Sequence, residues 1–147
     1  MHSFTVIMKI NENELILYPV SSNDIRFLYQ LLKERDPRIN ISHKTMPSYS
    51  EHKKFVNSKP YDKWYIIKVK NKKIGSIYLT PQNEIGIFIK KNIQGQNLGK
   101  HALSLLISKN HRKRYLANVN PKNSKSIRFF KNNRFRLIQH TYELDFS

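Results

Sequence analysis

Two of the chain's four glycines stand close together in the stretch NIQGQNLGKHALSLL, which covers residues 92–106. The apolar run IGIFI before this stretch predicts a strand, and the apolar residues around and after Gly95 and Gly99 recur at helical spacing. A loop that joins a strand to a helix N-terminus presents unpaired backbone N–H groups and the positive end of the helix dipole, which together can bind a phosphate group. Glycine is also common in ordinary turns of this kind, so the loop alone leaves both interpretations open.

The composition of the chain indicates a soluble protein with anionic ligands. The sequence has 147 residues, with 27 Lys and Arg against 10 Asp and Glu, and its net charge is +17 at pH 7. Such a charge attracts nucleotides and coenzyme phosphates and repels polyamines. The chain has no cysteine for a disulfide or a thiol nucleophile, its histidines show no paired metal-ligand spacing, and no apolar run approaches the roughly 20 residues that span a bilayer. We therefore expect a cytoplasmic protein without a metal ion or a membrane partner.

The order of the predicted elements indicates one domain over residues 1–147, of the α/β (α+β) class, with layers around one sheet. Strands are predicted at 2–10, 14–20, 64–70, 74–80, 84–91, 114–120 and, as one or two strands, 135–146. Helices are predicted at 21–36, at 50–58, after the glycine loop, and at 123–132. Ser22 or Asn23 would cap the first helix.

Two motifs, in this order, carry a resemblance to a known family. The segment Gln94-Gly95-Gln96-Asn97-Leu98-Gly99 resembles the pattern Arg/Gln-x-x-Gly-x-Gly/Ala, and Asn97 replaces its middle glycine. Asn is the residue other than glycine that best tolerates a left-handed backbone. The second motif consists of Asn123, Ser126 and Phe135, with Arg134 where glycine usually stands. The chain resembles the GCN5-related N-acetyltransferases (GNAT family) over essentially its whole length.

The resemblance implies acetyl-CoA as the cosubstrate and a mixed, mostly antiparallel central sheet flanked by about four helices. Two strands of this sheet would splay apart, and the pantetheine arm would lie in the gap. The implied coenzyme-binding residues fall on the fourth strand, the glycine loop and the last helix: Ile87, Phe88, Ile89, Gln94, Gly95, Gln96, Asn97, Leu98, Gly99, Lys100, Asn123, Ser126 and Phe130. The N–H groups of Gln94 to Lys100 would hold the pyrophosphate, and Asn123 would bind the pantetheine.

The implied chemistry is the direct attack of a neutral amine on the thioester, which requires a base and a way to stabilise the leaving thiolate. Glu84 is the candidate base, although a Glu at a strand edge is equally compatible with a surface position. The family's usual acid is a Tyr seven residues after the asparagine, and that position is Phe130 here. Tyr142, on the last predicted strand, is a substitute that would otherwise be half-buried in strand packing.

The acceptor is expected to bind between the first helices, at roughly 25–60. This segment resembles that of relatives that acetylate nucleotide-linked amino sugars, and the candidate contacts are Arg35, Arg38, His43 and Tyr49. A protein N-terminal or ribosomal-protein acetyltransferase is the competing enzyme, and a homodimer is left open. The alternatives outside enzymology are an inactive CoA sensor and a basic nucleic-acid-binding domain. The last is disfavoured because the aromatic residues fall in apolar runs that a core would bury.

Overall fold

The computed structural model describes residues 14–35, 45–93 and 97–147. Within these residues the strands are β1 (Leu15–Pro19), β2 (Lys63–Val69), β3 (Lys72–Leu79) and β4 (Ile85–Ile89). The α-helices are α1 (Ile25–Lys33), α2 (Tyr49–Asn57), α3 (Leu98–Lys109) and α4 (Ser124–Asn132), with short 3-10 helices at Ser22–Asp24 and Lys91–Ile93. The strand predicted at 2–10 lies outside the described residues.

The four described strands form an antiparallel sheet in the order β1-β2-β3-β4. Alternation along the strands directs apolar side chains to both faces: Ile66 packs with α1 and α2, and Ile67 packs in the larger cluster that includes α3. The sheet is therefore buried on two sides, which confirms the predicted α/β (α+β) layers with four flanking helices.

The first helical segment is capped one residue earlier than predicted. Ser21, rather than Ser22 or Asn23, accepts a hydrogen bond from the Asn23 N–H and forms a capping box with Asp24. The Asp24 carboxylate also contacts Lys73 on β3 at 2.7 Å. Burial raises the pKa of Asp24, but the contacts with Lys73 and Ser21 outweigh it and hold the pKa below its usual value. This residue thus joins the helix start to the sheet.

Two predicted strands near the C-terminus are wrong. In place of a strand at 114–120 there is one isolated parallel bridge between Glu84 and Leu116. Residues 135–147 contain no strand, and apolar side chains there stand in solvent, with Tyr142 and Phe146 each 89% exposed. An alternating pattern forms a strand only where a partner edge pairs with it, and none of the described strands does so.

No helix in the described parts of the chain is long and apolar enough to cross a membrane.

Candidate active site

The outer edge of β4 opens beyond a short contact with the following segment. Backbone hydrogen bonds join Thr80 N to Glu84 O (2.9 Å) and Lys90 N to Ile74 O (2.8 Å). In this register, Gly86 and Phe88 are the residues of β4 that form backbone hydrogen bonds with β3. By alternation, the N–H groups of Ile85 and Ile87 point away from β3. Ile85 N donates to Leu116 O at 2.7 Å. In the described chain no backbone hydrogen bond joins Ile87 to the residues after Leu116.

The α3 N-terminus lies beside this edge. Asn97 is the N-cap and has a left-handed backbone, with φ of 59°, the conformation for which Asn replaces glycine at least cost. A Cβ atom at Gly99 would lie 2.9 Å from the Phe129 ring and 3.7 Å from Ile87 Cδ1. Gly99 therefore permits close packing of α3 against α4 and β4, whereas Asn97 adopts the left-handed conformation at the start of α3.

The other residues of this motif are divided between core, surface and undescribed chain. Leu98 is buried in the core, and Lys100 is exposed in the first turn of α3. The positions of Gln94, Gly95 and Gln96 lie outside the described residues. The coenzyme contacts expected of these residues stay predictions.

The second motif forms the start and the end of α4. Asn123 is the N-cap, and its side-chain oxygen accepts a hydrogen bond from the Ser126 N–H at 3.2 Å. Phe130 is buried, with ring centroids 5.1 Å from Phe129 and 5.0 Å from Phe135. Arg134 has φ of 74°, which explains why glycine suits this position. Phe130 is thus a packing residue of the α4 end.

Glu84 connects the start of β4 to the segment that contains Leu116 and Asn118, at the point where the backbone pairing of the two ends. Its carboxylate accepts hydrogen bonds from Thr80 Oγ1 at 3.1 Å and from Asn118 Nδ2 at 2.6 Å. Arg112 Nη1 donates to the oxygen atoms Thr80 O and Asn83 Oδ1, at 2.9 and 3.0 Å, and so fixes the turn that precedes Glu84. The carboxylate is held at the mouth of the open edge, on the strand face that Gly86 and Phe88 share.

On this face, a cavity of about 310 Å³ lies between α1, α2 and the sheet. Aromatic residues dominate its walls, and they come from both sides: Phe55, Tyr61, Trp64, Tyr78 and Phe88. The indole Nε1 of Trp64 is buried and has no hydrogen-bond partner among the described residues. A buried N–H donor without a partner is uncommon in folded proteins, and Trp64 is one of the residues that line the cavity.

Tyr78 is the functional candidate that sequence reasoning missed. A Cβ atom at Gly86 would lie closer than 3.0 Å to Cζ, Cε2 and Oη of Tyr78, so the end of this ring lies directly on the β4 backbone. On the other side the ring stacks on Tyr61, with centroids 3.8 Å apart and planes 2° from parallel. A glycine in the middle of a strand was the available signal, because it often marks a close approach.

The cavity carries a cationic group. The Arg35 guanidinium lies 4.0 Å from the centroid of the Phe88 ring. Burial lowers the pKa of Arg35, and the neighbouring Tyr78 and Tyr61 partly offset this effect. An arginine remains charged under these conditions, and the Glu51 carboxylate also lines the cavity, so the lining carries both a basic and an acidic group.

Among the described residues, the acceptor candidate Tyr49 and the acid candidate Tyr142 do not line the cavity. Tyr49 packs edge-on against Tyr29, with centroids 5.2 Å apart, and is 41% exposed. Arg38 and His43 lie outside the described residues. Tyr142 was expected on a half-buried strand; it lies on a segment without secondary structure, and its side chain is almost fully exposed.

Comparisons with known proteins agree with this geometry. The family model described as Acetyltransferase (GNAT) domain matches residues 14–136. A search of curated proteins finds no match. Several solved structures share the fold. A domain from Methanocaldococcus jannaschii is 23% identical, with a TM-score of 0.76 over 88% of this chain and 92% of that chain.

Two further similar structures are enzymes by their names. The ribosomal L7/L12 alpha-N-protein acetyltransferase RimL, in complex with coenzyme A, is 20% identical, with a TM-score of 0.70 over 88% of this chain and 84% of its own. A dodecameric spermidine N-acetyltransferase from Vibrio cholerae is also 20% identical, with a TM-score of 0.67 over 92% of this chain and 86% of that chain. The family match and the shared fold together establish that this chain belongs to the GNAT family of acetyltransferases, with acetyl-CoA as its acetyl donor.

Proposed function

We propose that the chain transfers the acetyl group of acetyl-CoA to a primary amine, and that this amine belongs to a nucleotide-linked sugar. The observation that carries the proposal is the aromatic cavity with Arg35 at its wall, beside the open edge of β4. The reaction needs an amine held next to a thioester, and these two features supply neighbouring places for the two reactants.

The coenzyme would extend the sheet along β4. The outward backbone groups of Ile87 would pair with the pantetheine amides, as a further strand does, and Ile89, two residues further along β4, would lie along the same arm. The backbone of Phe88 pairs with Ser76 of β3, so Phe88 would contribute its side chain. The N–H groups from Gln94 to Lys100 would bind the pyrophosphate at the α3 N-terminus, with Asn123, Ser126 and Phe130 flanking the thiol end from α4.

Glu84 would receive the proton of the attacking amine, directly or through a water molecule. Its oxygen atoms are held by Thr80 and Asn118, which fixes the carboxylate beside the open edge. The N–H of Ile87, which points to that edge, would donate a hydrogen bond to the carbonyl oxygen of the thioester.

The charge of the whole chain and the aromatic walls of the cavity favour an amino sugar over a polyamine. The net charge of +17 repels a polycation, although Glu51 lines the cavity together with Arg35 and one similar structure is a spermidine acetyltransferase. Sugar hydroxyls could accept from Trp64 Nε1, and aromatic walls suit the apolar faces of a sugar ring. Arg35, with Arg38, His43 and Tyr49 nearby in sequence, would face the diphosphate.

A protein N-terminus is the second candidate acceptor. One similar structure, RimL, is a ribosomal-protein alpha-N-acetyltransferase. A peptide carbonyl could also accept from Trp64 Nε1, so the indole alone does not separate the two acceptors.

The test measures release of the coenzyme thiol with a thiol reagent. The chain contains no cysteine, so the protein gives no background signal. Amino-sugar nucleotides, peptides with a free N-terminus and spermidine are compared at equal concentration. We expect the first class to react, and Arg35→Gln to raise its KM by about tenfold, as loss of one charged contact of about 1.4 kcal/mol would do.

The matched control for this variant is Arg26→Gln, on an exposed position of α1. The control should leave the KM unchanged. A peptide as the sole substrate, or spermidine turnover with Arg35 intact, would refute the amino-sugar assignment. Failure to bind acetyl-CoA in a calorimetric titration would refute the enzyme itself.

We also propose that two copies of the chain associate through residues 137–147. This segment carries two of the chain's 10 acidic residues and no Lys or Arg, whereas the rest of the chain is strongly basic. Its apolar side chains alternate and stand in solvent, so a second copy would gain both apolar burial and charge complementarity.

Light scattering of the full chain tests this association. We expect a dimer at micromolar concentration and a monomer for the variant Tyr142→Asp/Leu144→Asp. A monomeric wild-type chain at all concentrations would refute the association and leave the acetyltransferase proposal untouched.

A further inference from the structure

We propose that the hydroxyl group of Tyr78 contacts the reacting thioester and donates a hydrogen bond to the departing sulfur. This inference rests on the proposed function. It assigns to β3 a task that Phe130 on α4, an apolar ring packed in the core, cannot perform because it has no hydroxyl group.

The first argument is where the hydroxyl lies. Tyr78 stands opposite Gly86 in the β3–β4 register, and the end of its ring, including Oη, lies on the position where a Cβ of Gly86 would be. Neighbouring strands are about 4.8 Å apart, so the side chain crosses from β3 onto β4. It thus brings a hydroxyl group over Gly86, which directly precedes Ile87, the residue whose backbone points to the open edge.

The second argument is that this position is fixed. The ring is held between the β4 backbone on one side and Tyr61, 3.8 Å away and parallel, on the other. Tyr61 in turn packs edge-on against Trp64 at 4.8 Å. A donor held in place before the reaction is worth more than one that must reorient, because no reorganisation is needed when charge develops.

The third argument concerns the neighbours on the same face. Glu84, directly before β4, and Phe88, on β4, each stand two residues from Gly86, and alternation puts both on the face where the Tyr78 ring lies. Burial raises the pKa of Tyr78, the Glu84 carboxylate adds to this rise, and Arg35 and the Tyr61 hydroxyl oppose it. The phenol therefore keeps its proton at neutral pH and is a donor.

The group transfer that this geometry supports is balanced without any further reactant. The amine nitrogen forms a bond to the carbonyl carbon, the C–S bond breaks, and the electron pair stays on sulfur. Glu84 takes the proton of the amine. Tyr78 stabilises the sulfur anion by a hydrogen bond and retains its proton, because a thiolate whose conjugate thiol has a pKa of about 8.5 cannot deprotonate a phenol of higher pKa to a useful extent. The thiolate leaves and equilibrates with solvent.

The test uses a readout that needs no acceptor. Calorimetry compares the affinities of CoA and desulfo-CoA, which lacks the sulfur, at pH 9, where much of the thiol is ionised. We expect wild type to prefer CoA by about tenfold, as one hydrogen bond to a charged group provides, and Tyr78→Phe to bind both equally. In turnover, Tyr78→Phe should lower kcat by about 10²-fold with the KM for acetyl-CoA unchanged.

Tyr18→Phe is the control, since Tyr18 lies on β1 with its ring exposed beside Lys68; it should behave as wild type. Equal affinity of the wild-type chain for CoA and desulfo-CoA would refute the inference even if the Tyr78 variant failed to fold. So would a Tyr78→Phe variant that keeps the preference and the kcat. In either case acetyl-CoA still binds and is consumed, whereas a chain that binds no coenzyme would refute the proposed function itself.

Discussion

Gly86 is the position at which one methyl group should disturb the candidate site most. The added Cβ of a Gly86→Ala variant would lie closer than 3.0 Å to three atoms of the Tyr78 ring. Carbon atoms in contact are about 3.5–4.0 Å apart, so the ring would have to move by more than about 1 Å. Tyr61 blocks the direct path, because it is already in stacking contact at 3.8 Å. The ring must therefore swing sideways and lose its stacking partner.

The cost has two parts. Insertion of a methyl group into a packed site costs about 1–3 kcal/mol, and loss of an aromatic pair costs about 0.5–1.5 kcal/mol more. We expect Gly86→Ala to lower the free energy of unfolding by about 2–4 kcal/mol, which corresponds to a fall in Tm of roughly 5–15 °C for a chain of this length. Thermal unfolding followed by circular dichroism measures this change directly.

A double-mutant cycle shows whether the ring is the cause. In a Tyr78→Ala background the obstructing atoms are absent, so the further change Gly86→Ala should cost less than about 1 kcal/mol. Gly99→Ala is the matched glycine control, because only one atom, on the Phe129 ring, would lie within 3.0 Å of the added Cβ, against three atoms at Gly86; its cost should be smaller. Equal costs of Gly86→Ala with and without the Tyr78 ring would refute the reasoning.

Three further outcomes follow from contacts elsewhere in the described chain. Asp24→Asn should lower the free energy of unfolding by about 1–3 kcal/mol at pH 7, since it weakens the contact with Lys73. Because the folded-state pKa of Asp24 is lowered, the contribution is present above the unfolded pKa of about 4 and disappears as the pH falls below it; urea titrations at pH 7 and pH 3 should therefore show a smaller difference at the lower pH. Asn97→Gly should leave stability unchanged or raise it slightly, whereas Asn97→Val should cost about 1–2 kcal/mol because φ is 59°, and equal melting temperatures for the two variants would contradict this. Ser48→Ala should cost about 1 kcal/mol through loss of the bond from the Glu51 N–H, 3.1 Å long, and Ser50→Ala, on an exposed position of the same helix, should not change the melting temperature.

Local chemistry was sufficient to predict much of the fold. The hairpin of β2 and β3, the strand β4 and the helix α3 are all marked by runs and turns whose pattern is complete within a few residues. Asn97 is the same kind of signal, since its left-handed backbone is favoured by the residue itself. The cap of the first helical segment was predicted at Ser22 or Asn23 and lies at Ser21, because three adjacent polar residues can each cap a helix.

The missed parts of the candidate site depend on contacts between distant residues. Tyr78 looked like an ordinary strand residue, and only the β3–β4 register places it over Gly86. The cavity walls come from α1, α2 and the sheet together, and no local pattern describes such a combination. Phe130, by contrast, was read correctly as unable to donate a proton, because that property belongs to the side chain alone.

In the C-terminal segment, a clear local pattern predicted a strand that does not form. Its alternation at Tyr142, Leu144 and Phe146 is the pattern of a half-buried strand, yet the described structure gives it neither a partner strand nor burial. Alternation states which face a strand would bury, but a strand also needs an edge that supplies hydrogen bonds. In a single chain of net charge +17, these apolar side chains remain almost fully exposed to water. The acidic character of the same segment then determines which partner it suits, a basic surface such as that of a second copy, and this is why we connect the failed strand prediction to association of the chain.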